Sequence, residues 1–183
     1  ICGVLSDRRG ARGLERARSA GIPARSVFVK PTRAADYDQA MINALHELSP
    51  DLVVLAGYMR ILSSDCVRAF GDRMLNLHPS LLPHHKGTDT HRRVLEAGDP
   101  VHGASVHFVT AELDDGPSVV QYRLKVDSAD TTDSLSARIH EGEHIILPMA
   151  VQWFCEGRLQ MTEGTVMLDD QPLNAPVIIE EQP

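Results

Sequence analysis

Apolar and polar positions come in short blocks whose period switches repeatedly between strand-like and helix-like. Ile1–Leu5 is an apolar run ending at Ser6-Asp7. Leu14 to Ala20 has helical character and is closed by Gly21, at the position after a helix where a left-handed backbone costs glycine least. Val27–Val29 reads as a second strand, stopped by Pro31. Over Ala35–Leu48, Met41, Ile42, Leu45 and Leu48 fall at helical spacing, and Ser49-Pro50 ends the helix. Leu52–Ala56 is apolar without a break between Asp51 and Gly57, as in a strand covered on both faces of a parallel sheet. Ser63 can cap a helix reaching Phe70, Met74–Leu77 is a short strand, and Thr90–Ala97 is a helix ended by Gly98. Ala104–Thr110 alternates, with Ala104, Val106 and Phe108 facing one way and Ser105, His107 and Val109 the other. Val119–Val126 is a further strand. A long helix spans Asp133–Glu156 with a kink at Pro148, and Arg158–Leu168 is a hairpin about Glu163-Gly164.

Strand-helix-strand alternation predicts an α/β fold: an open, mostly parallel twisted sheet flanked by helices. Residues 1–168 read as one domain and 169–183 as a polar, partly mobile tail. In such sheets the ligand crevice lies beyond the carboxyl ends of the strands, which directs attention to the residues after Ala56, Leu77 and Thr110.

Composition narrows the function by exclusion. The 183 residues carry a formal net charge of −7, which disfavours nucleic acid as a partner. The one dense basic stretch, Arg8, Arg9, Arg12, Arg16 and Arg18, is interrupted by Glu15 and reads as a solvated helix face. The three cysteines, Cys2, Cys66 and Cys155, form no Cys-x-x-Cys pair, so neither a disulfide framework nor a structural zinc site is indicated. No apolar run approaches the roughly 20 residues of a membrane span. These features predict a cytoplasmic protein with no membrane partner.

Three segments at the predicted strand ends carry candidate chemistry. Gly57-Tyr58-Met59-Arg60-Ile61-Leu62 can line an apolar pocket with a charged rim, or simply start a helix with ordinary packing. In Asn76-Leu77-His78-Pro79, the amide and the imidazole are two apart on an extended segment and share a side. An amide N–H beside an imidazole suits acyl transfer, one donating to a developing oxyanion and the other handling a proton. A buried histidine satisfied by its neighbours is the competing reading. Leu113-Asp114-Asp115-Gly116-Pro117 is either an acidic surface turn or the source of a carboxylate, Asp114, that orients His78. His84, His85, His91 and His102 invite a metal, but no thiolate or carboxylate accompanies them at a ligand spacing, so no metal is expected.

The run Asn76–Pro83 followed by Leu113–Pro117 resembles the signature of the folate-dependent formyltransferases. Supporting stretches are Ala56–Leu62, Lys86-Gly87 with Thr90-His91-Arg92, Gly103–Thr110, Arg138–His144 and Trp153-Phe154, so the likeness runs from residue 1 to Leu168. The resemblance implies a Rossmann-like formyltransferase fold and an enzyme of purine biosynthesis. That enzyme moves the formyl group of 10-formyltetrahydrofolate to the amine of glycinamide ribonucleotide, without a metal, as a monomer or homodimer. It implies Asn76, His78 and Asp114 as the catalytic trio. Met59, Arg60, Ile61 and Leu62, together with Thr110, Ala111, Glu112, Leu113 and Asp114, match the pterin pocket, with Asn76 at its edge. His140, Glu141, Gly142 and Glu143 match part of the ribonucleotide site. Ser105 and His107 match secondary positions lining the cleft.

The family's first strand, Gly-rich phosphate loop and first helix have no counterpart ahead of Ile1, so the folate and catalytic halves of the site are expected here without the phosphate half. A formyltetrahydrofolate hydrolase, which uses the same trio with water as acceptor, and a folate-binding module without turnover are the neighbouring alternatives. A formyltransferase acting on tRNA would carry a basic C-terminal domain, which the acidic chain lacks.

Overall fold

A computed structural model describes residues 1–27 and 34–182. The chain divides into two compact units, Ile1–Asp51 with Leu62–Ala69, and Leu52–Ile61 with Phe70–Pro183, where the sequence reading placed 1–168 in one domain.

In the first unit, β1 (Val4–Ser6) pairs in parallel with β2 (Ala24–Ser26) around the connecting helix α1 (Arg12–Ser19), whose Leu14 and Ala17 are buried. The predicted strand Val27–Val29 thus begins three residues early, at Ala24, and its last two residues lie outside the described segment. Helix α2 (Ala34–Leu48) buries Met41, Ile42 and Leu45 of the predicted stripe and leaves Leu48 half-buried, while Tyr37 and Ala44 are buried as well. Ser63 caps α3 (Ser64–Phe70), its hydroxyl accepting from the Cys66 N–H at 3.3 Å.

The second unit is built on a five-stranded sheet in the order β10-β6-β5-β4-β3: Val177–Glu180, Ser118–Lys125, Val101–Phe108, Met74–His78 and Val53–Leu55. β3 runs parallel to β4 and β10 parallel to β6, but β5 is antiparallel to both of its neighbours. The sheet is therefore mixed. β5 and β6 are joined by the loop 109–117 without a crossover helix, and such a connection returns the chain antiparallel. Helix α4 (Thr90–Ala97) leads into β5 and ends at Gly98 as predicted.

Helix α5 (Thr132–Cys155) starts at a capping box between Thr131 and Ser134 and continues through Pro148. Its Leu135, Ile139, Ile146 and Ala150 form one core with Leu75, Ala104, Val106, Phe108, Val120, Tyr122 and Leu124. Gly142 is where α5 meets the sheet: a Cβ there would stand 2.1 Å from the Tyr122 ring. The hairpin of β7 (Leu159–Thr162) and β8 (Thr165–Leu168) follows, joined by β9 (Gln171–Pro172). The segment read as a tail instead supplies β10. Val177 and Ile179 pack on the core, and Arg138 holds Glu181 at 2.6 Å, so an apolar alternation inside a polar stretch forms an edge strand. No helix among the described residues is long and apolar enough to cross a membrane.

Candidate active site

The antiparallel register of β4 and β5 sets Asn76 opposite His107 and His78 opposite Ser105, while β5 and β6 set Ser105 opposite Gln121. Facing residues on paired strands share a side of the sheet, so these five polar side chains line one face. Leu75, Leu77, Val106 and Phe108 point to the other face, toward α5. The alternation over Ala104–Thr110 thus separates core from site.

Each polar group on this face has a defined partner. His107 Nδ1 donates to its neighbour Phe108's carbonyl at 2.8 Å. Burial pushes the His107 pKa down, against that bond and the Asp114 charge, and so favours the neutral ring. With its proton on Nδ1, Nε2 is left as an acceptor, and it takes a hydrogen bond from the Asn76 amide at 3.1 Å. One Asn76 N–H is thereby fixed and the second remains for a ligand. Ser105 Oγ donates to Ser80 O at 2.6 Å and accepts from Leu82 N–H and Gln121 Nε2, and Gln121 Nε2 also donates to Leu82 O at 2.8 Å. These bonds pin the loop that follows His78 to the sheet.

Asp114 reaches the face by a different route from the one expected. Because β5 runs antiparallel, its carboxyl end lies beside the start of β4, away from His78. The loop 109–117 folds back over the sheet instead. Asp114 adopts a left-handed backbone (φ 50°), a conformation Asp tolerates better than most residues. A Cβ at Gly116 would fall 1.7 Å from Phe108 O, so only glycine permits this return. The buried Asp114 carboxylate accepts from Gly87 N–H at 2.9 Å, lies 3.5 Å from His78 Nδ1 and 3.9 Å from His107 Nε2. Lys86 pairs with Asp115 beside it, and Arg93 holds the Lys86 carbonyl at 2.6 Å. The loops after β4 and β5 are thus clasped together over Asn76 and His78.

His78 is 5% exposed, with its Nε2 donating to the His85 backbone carbonyl at 3.1 Å. Its two nitrogens face a carbonyl and a carboxylate, both acceptors. The longer separation, at Nδ1, leaves that edge open to a further oxygen. An imidazole N–H and an amide N–H side by side on a buried face can stabilise a developing oxyanion.

The remaining predicted residues lie in the segments after β3 and β5 and on α5. Leu55 pairs with Asn76, so Met59, Arg60 and Ile61 follow directly from the site's edge, with Met59 and Ile61 exposed. Leu62 falls in the other compact unit. In the second loop Thr110 is partly buried and its hydroxyl lies 3.4 Å from Glu112 O, whereas Ala111, Glu112 and Leu113 are exposed. On α5, His140 Nδ1 lies 2.9 Å from Glu143 Oε2 and Glu141 is exposed. Gly142 faces Tyr122 and serves packing, since it has no side chain to offer a ligand.

Gln121 and the pair His85–Asp99 were missed by the sequence reading. A lone glutamine inside Val119-Val120-Gln121-Tyr122 was the available signal, but its partner Ser105 is set by register.

The sequence profile described as Formyl transferase matches residues 1–151. Phosphoribosylglycinamide formyltransferase of Escherichia coli (strain K12) is 46% identical over 171 residues, which is 93% of this chain and 81% of that protein. The Haemophilus influenzae protein of the same name is 40% identical over 175 residues, 94% of this chain and 82% of that one. Among solved structures, the phosphoribosylglycinamide formyltransferase of Coxiella burnetii superposes with a TM-score of 0.89 at 40% identity, covering 97% of this chain and 85% of the other.

Proposed function

The chain belongs to the formyl transferase family, and we propose that it carries the formyl group of 10-formyltetrahydrofolate to the primary amine of glycinamide ribonucleotide, a step of purine biosynthesis, with Asn76, His78 and Asp114 performing the chemistry. The observation that carries this reading is the convergence of the Asn76 amide, the His78 ring and the Asp114 carboxylate on one face of the sheet.

The ribonucleotide amine adds to the formyl carbon, and the carbonyl oxygen takes up negative charge. The free Asn76 N–H and the Nδ1 edge of His78 donate to that oxygen, interactions that strengthen as the charge develops. Collapse breaks the bond from the formyl carbon to N10 of the folate. The proton lost by the amine is taken up by N10, and Asp114 lies where it can hold a water that passes it on. His107 acts through Asn76, fixing its amide. The exposed Met59, Ile61 and Leu113 suit the flat apolar surface of a pterin, with Arg60 between the first two in the chain. His140 and Glu143 on α5 suit the polar ribonucleotide. The same reading assigns the enzyme to the cytoplasm, as a monomer or homodimer acting on small molecules.

The test is formyl transfer from 10-formyltetrahydrofolate to glycinamide ribonucleotide, followed for the full chain and for His78→Ala and Asn76→Ala. Removing one preorganised oxyanion donor lowers turnover by roughly 10²–10³. Near-normal turnover by a folded His78→Ala protein would refute the assigned roles. Release of free formate at the same rate with and without the amine acceptor would instead identify a hydrolase.

A further inference from the structure

Behind His78 stands a second histidine–carboxylate pair that the reaction as described does not use. His85 Nε2 lies 2.6 Å from Asp99 Oδ2. Asp99 is anchored at the end of α4: Gly98 takes the left-handed backbone (φ 69°), and the Asp99 N–H donates to the Val94 carbonyl at 3.2 Å. His85 itself has φ 52°, a left-handed conformation that is unfavourable for a residue with a Cβ. Its side-chain tether to α4 offsets that cost. What the conformation achieves is the aim of the His85 carbonyl, which accepts from His78 Nε2.

A backbone carbonyl can only accept. Nε2 of His78 therefore keeps its hydrogen in either charge state, and the proton that His78 can release or share is the one on Nδ1. That is the edge facing Asp114 and the Gly87 N–H. We propose that His85, held by Asp99, is a positioning residue for His78: its carbonyl fixes the ring's tautomer and turns the exchangeable proton toward Asp114. The inference deepens the reading above and rests on it for the identity of the reaction.

The test combines kinetics with nitrogen NMR of ¹⁵N-histidine-labelled protein at pH 7.5, the His78 ring signals being assigned by their loss in His78→Gln. In the wild type Nε2 of His78 is protonated. In His85→Ala and Asp99→Ala, the Nε2–H preference is lost and kcat falls about 10-fold, with KM for both substrates within about two-fold, as misalignment of a catalytic group predicts. His85→Gln, which retains an N–H to offer Asp99, recovers kcat to within about three-fold of wild type. If His85→Ala does not fold, Asp99→Asn, with a neutral acceptor in place of the carboxylate, is read in the same two ways. Wild-type ring signals and a kcat within two-fold in Asp99→Ala and Asp99→Asn would overturn the proposal. A wild-type protein that transfers no formyl group overturns the reading of the reaction, while the ring-nitrogen spectra still decide the positioning role.

Discussion

Replacing His102 with glutamine should make the protein less sensitive to mild acid. His102 is 1% exposed, on the face of β5 beneath α5, with its Nε2 3.0 Å from His91 Nδ1. Burial drives its pKa down from 6.5 to about 4, helped by the neighbouring His91, His85 and His78 and opposed by Asp99. The native ring thus stays neutral where the unfolded chain's histidine takes a proton. The sign follows: a depressed histidine contributes nothing adverse above pH 7, and stability drains away as the pH falls from about 6.5 toward 4. At pH 5 this one group withdraws about 2 kcal/mol relative to pH 7.5. With a urea slope of roughly 2 kcal/mol/M for a chain of this size, the wild-type unfolding midpoint should drop by about 1 M more than that of His102→Gln. The measurement is urea unfolding by circular dichroism at pH 7.5 and 5 for both proteins. Burial also lowers His91 and His107, which add a loss of the same sign in both proteins, and the difference between them reports His102 together with its coupling to His91. Equal midpoint shifts in the two proteins would refute the reasoning.

Other outcomes follow from the same structure. His107→Phe keeps an aromatic ring, though a larger one, but removes the acceptor that orients Asn76, so kcat should fall between about 10- and 100-fold at little change in KM, read from steady-state kinetics. Gly142→Ala drives a methyl into the Tyr122 ring and should cost about 1–3 kcal/mol, read from thermal unfolding and partly recovered by Tyr122→Leu. Cys66 is buried and its thiol is pushed up to about 11, first by burial and then by Asp38. Iodoacetamide at pH 8 should therefore modify the exposed Cys2 and Cys155 and spare Cys66, as peptide mass spectrometry would show.

Local chemistry was legible in the sequence wherever it was enough by itself. Helix α4 ends at the predicted residue because Gly98 stops it, and Asn76 and His78 share a face because strand side chains alternate. The direction of β5 was not legible. Its residues suit either orientation, and the short return through 109–117 decides. That direction in turn changes how Asp114 arrives, by a loop doubling back and not by a neighbouring strand end. Gln121 and Asp99 were hidden for a related reason: their partners, Ser105 and His85, lie 16 and 14 residues away and meet them only through tertiary register. The segment Val177–Glu180 was masked by its polar surroundings, although its partner β6 supplies the hydrogen bonds a lone strand lacks.

Strand β5 is a two-sided ribbon, greasy beneath and reactive above. Its length is consequently a matter of chemistry as much as of stability. Losing one amino acid from its middle would rotate every position beyond the gap by half a turn, sending the Phe108 ring up among the catalytic groups and the His107 imidazole down into hydrocarbon. In this chain a loop can change its length without that consequence, whereas the count of residues between Gly103 and Phe108 cannot.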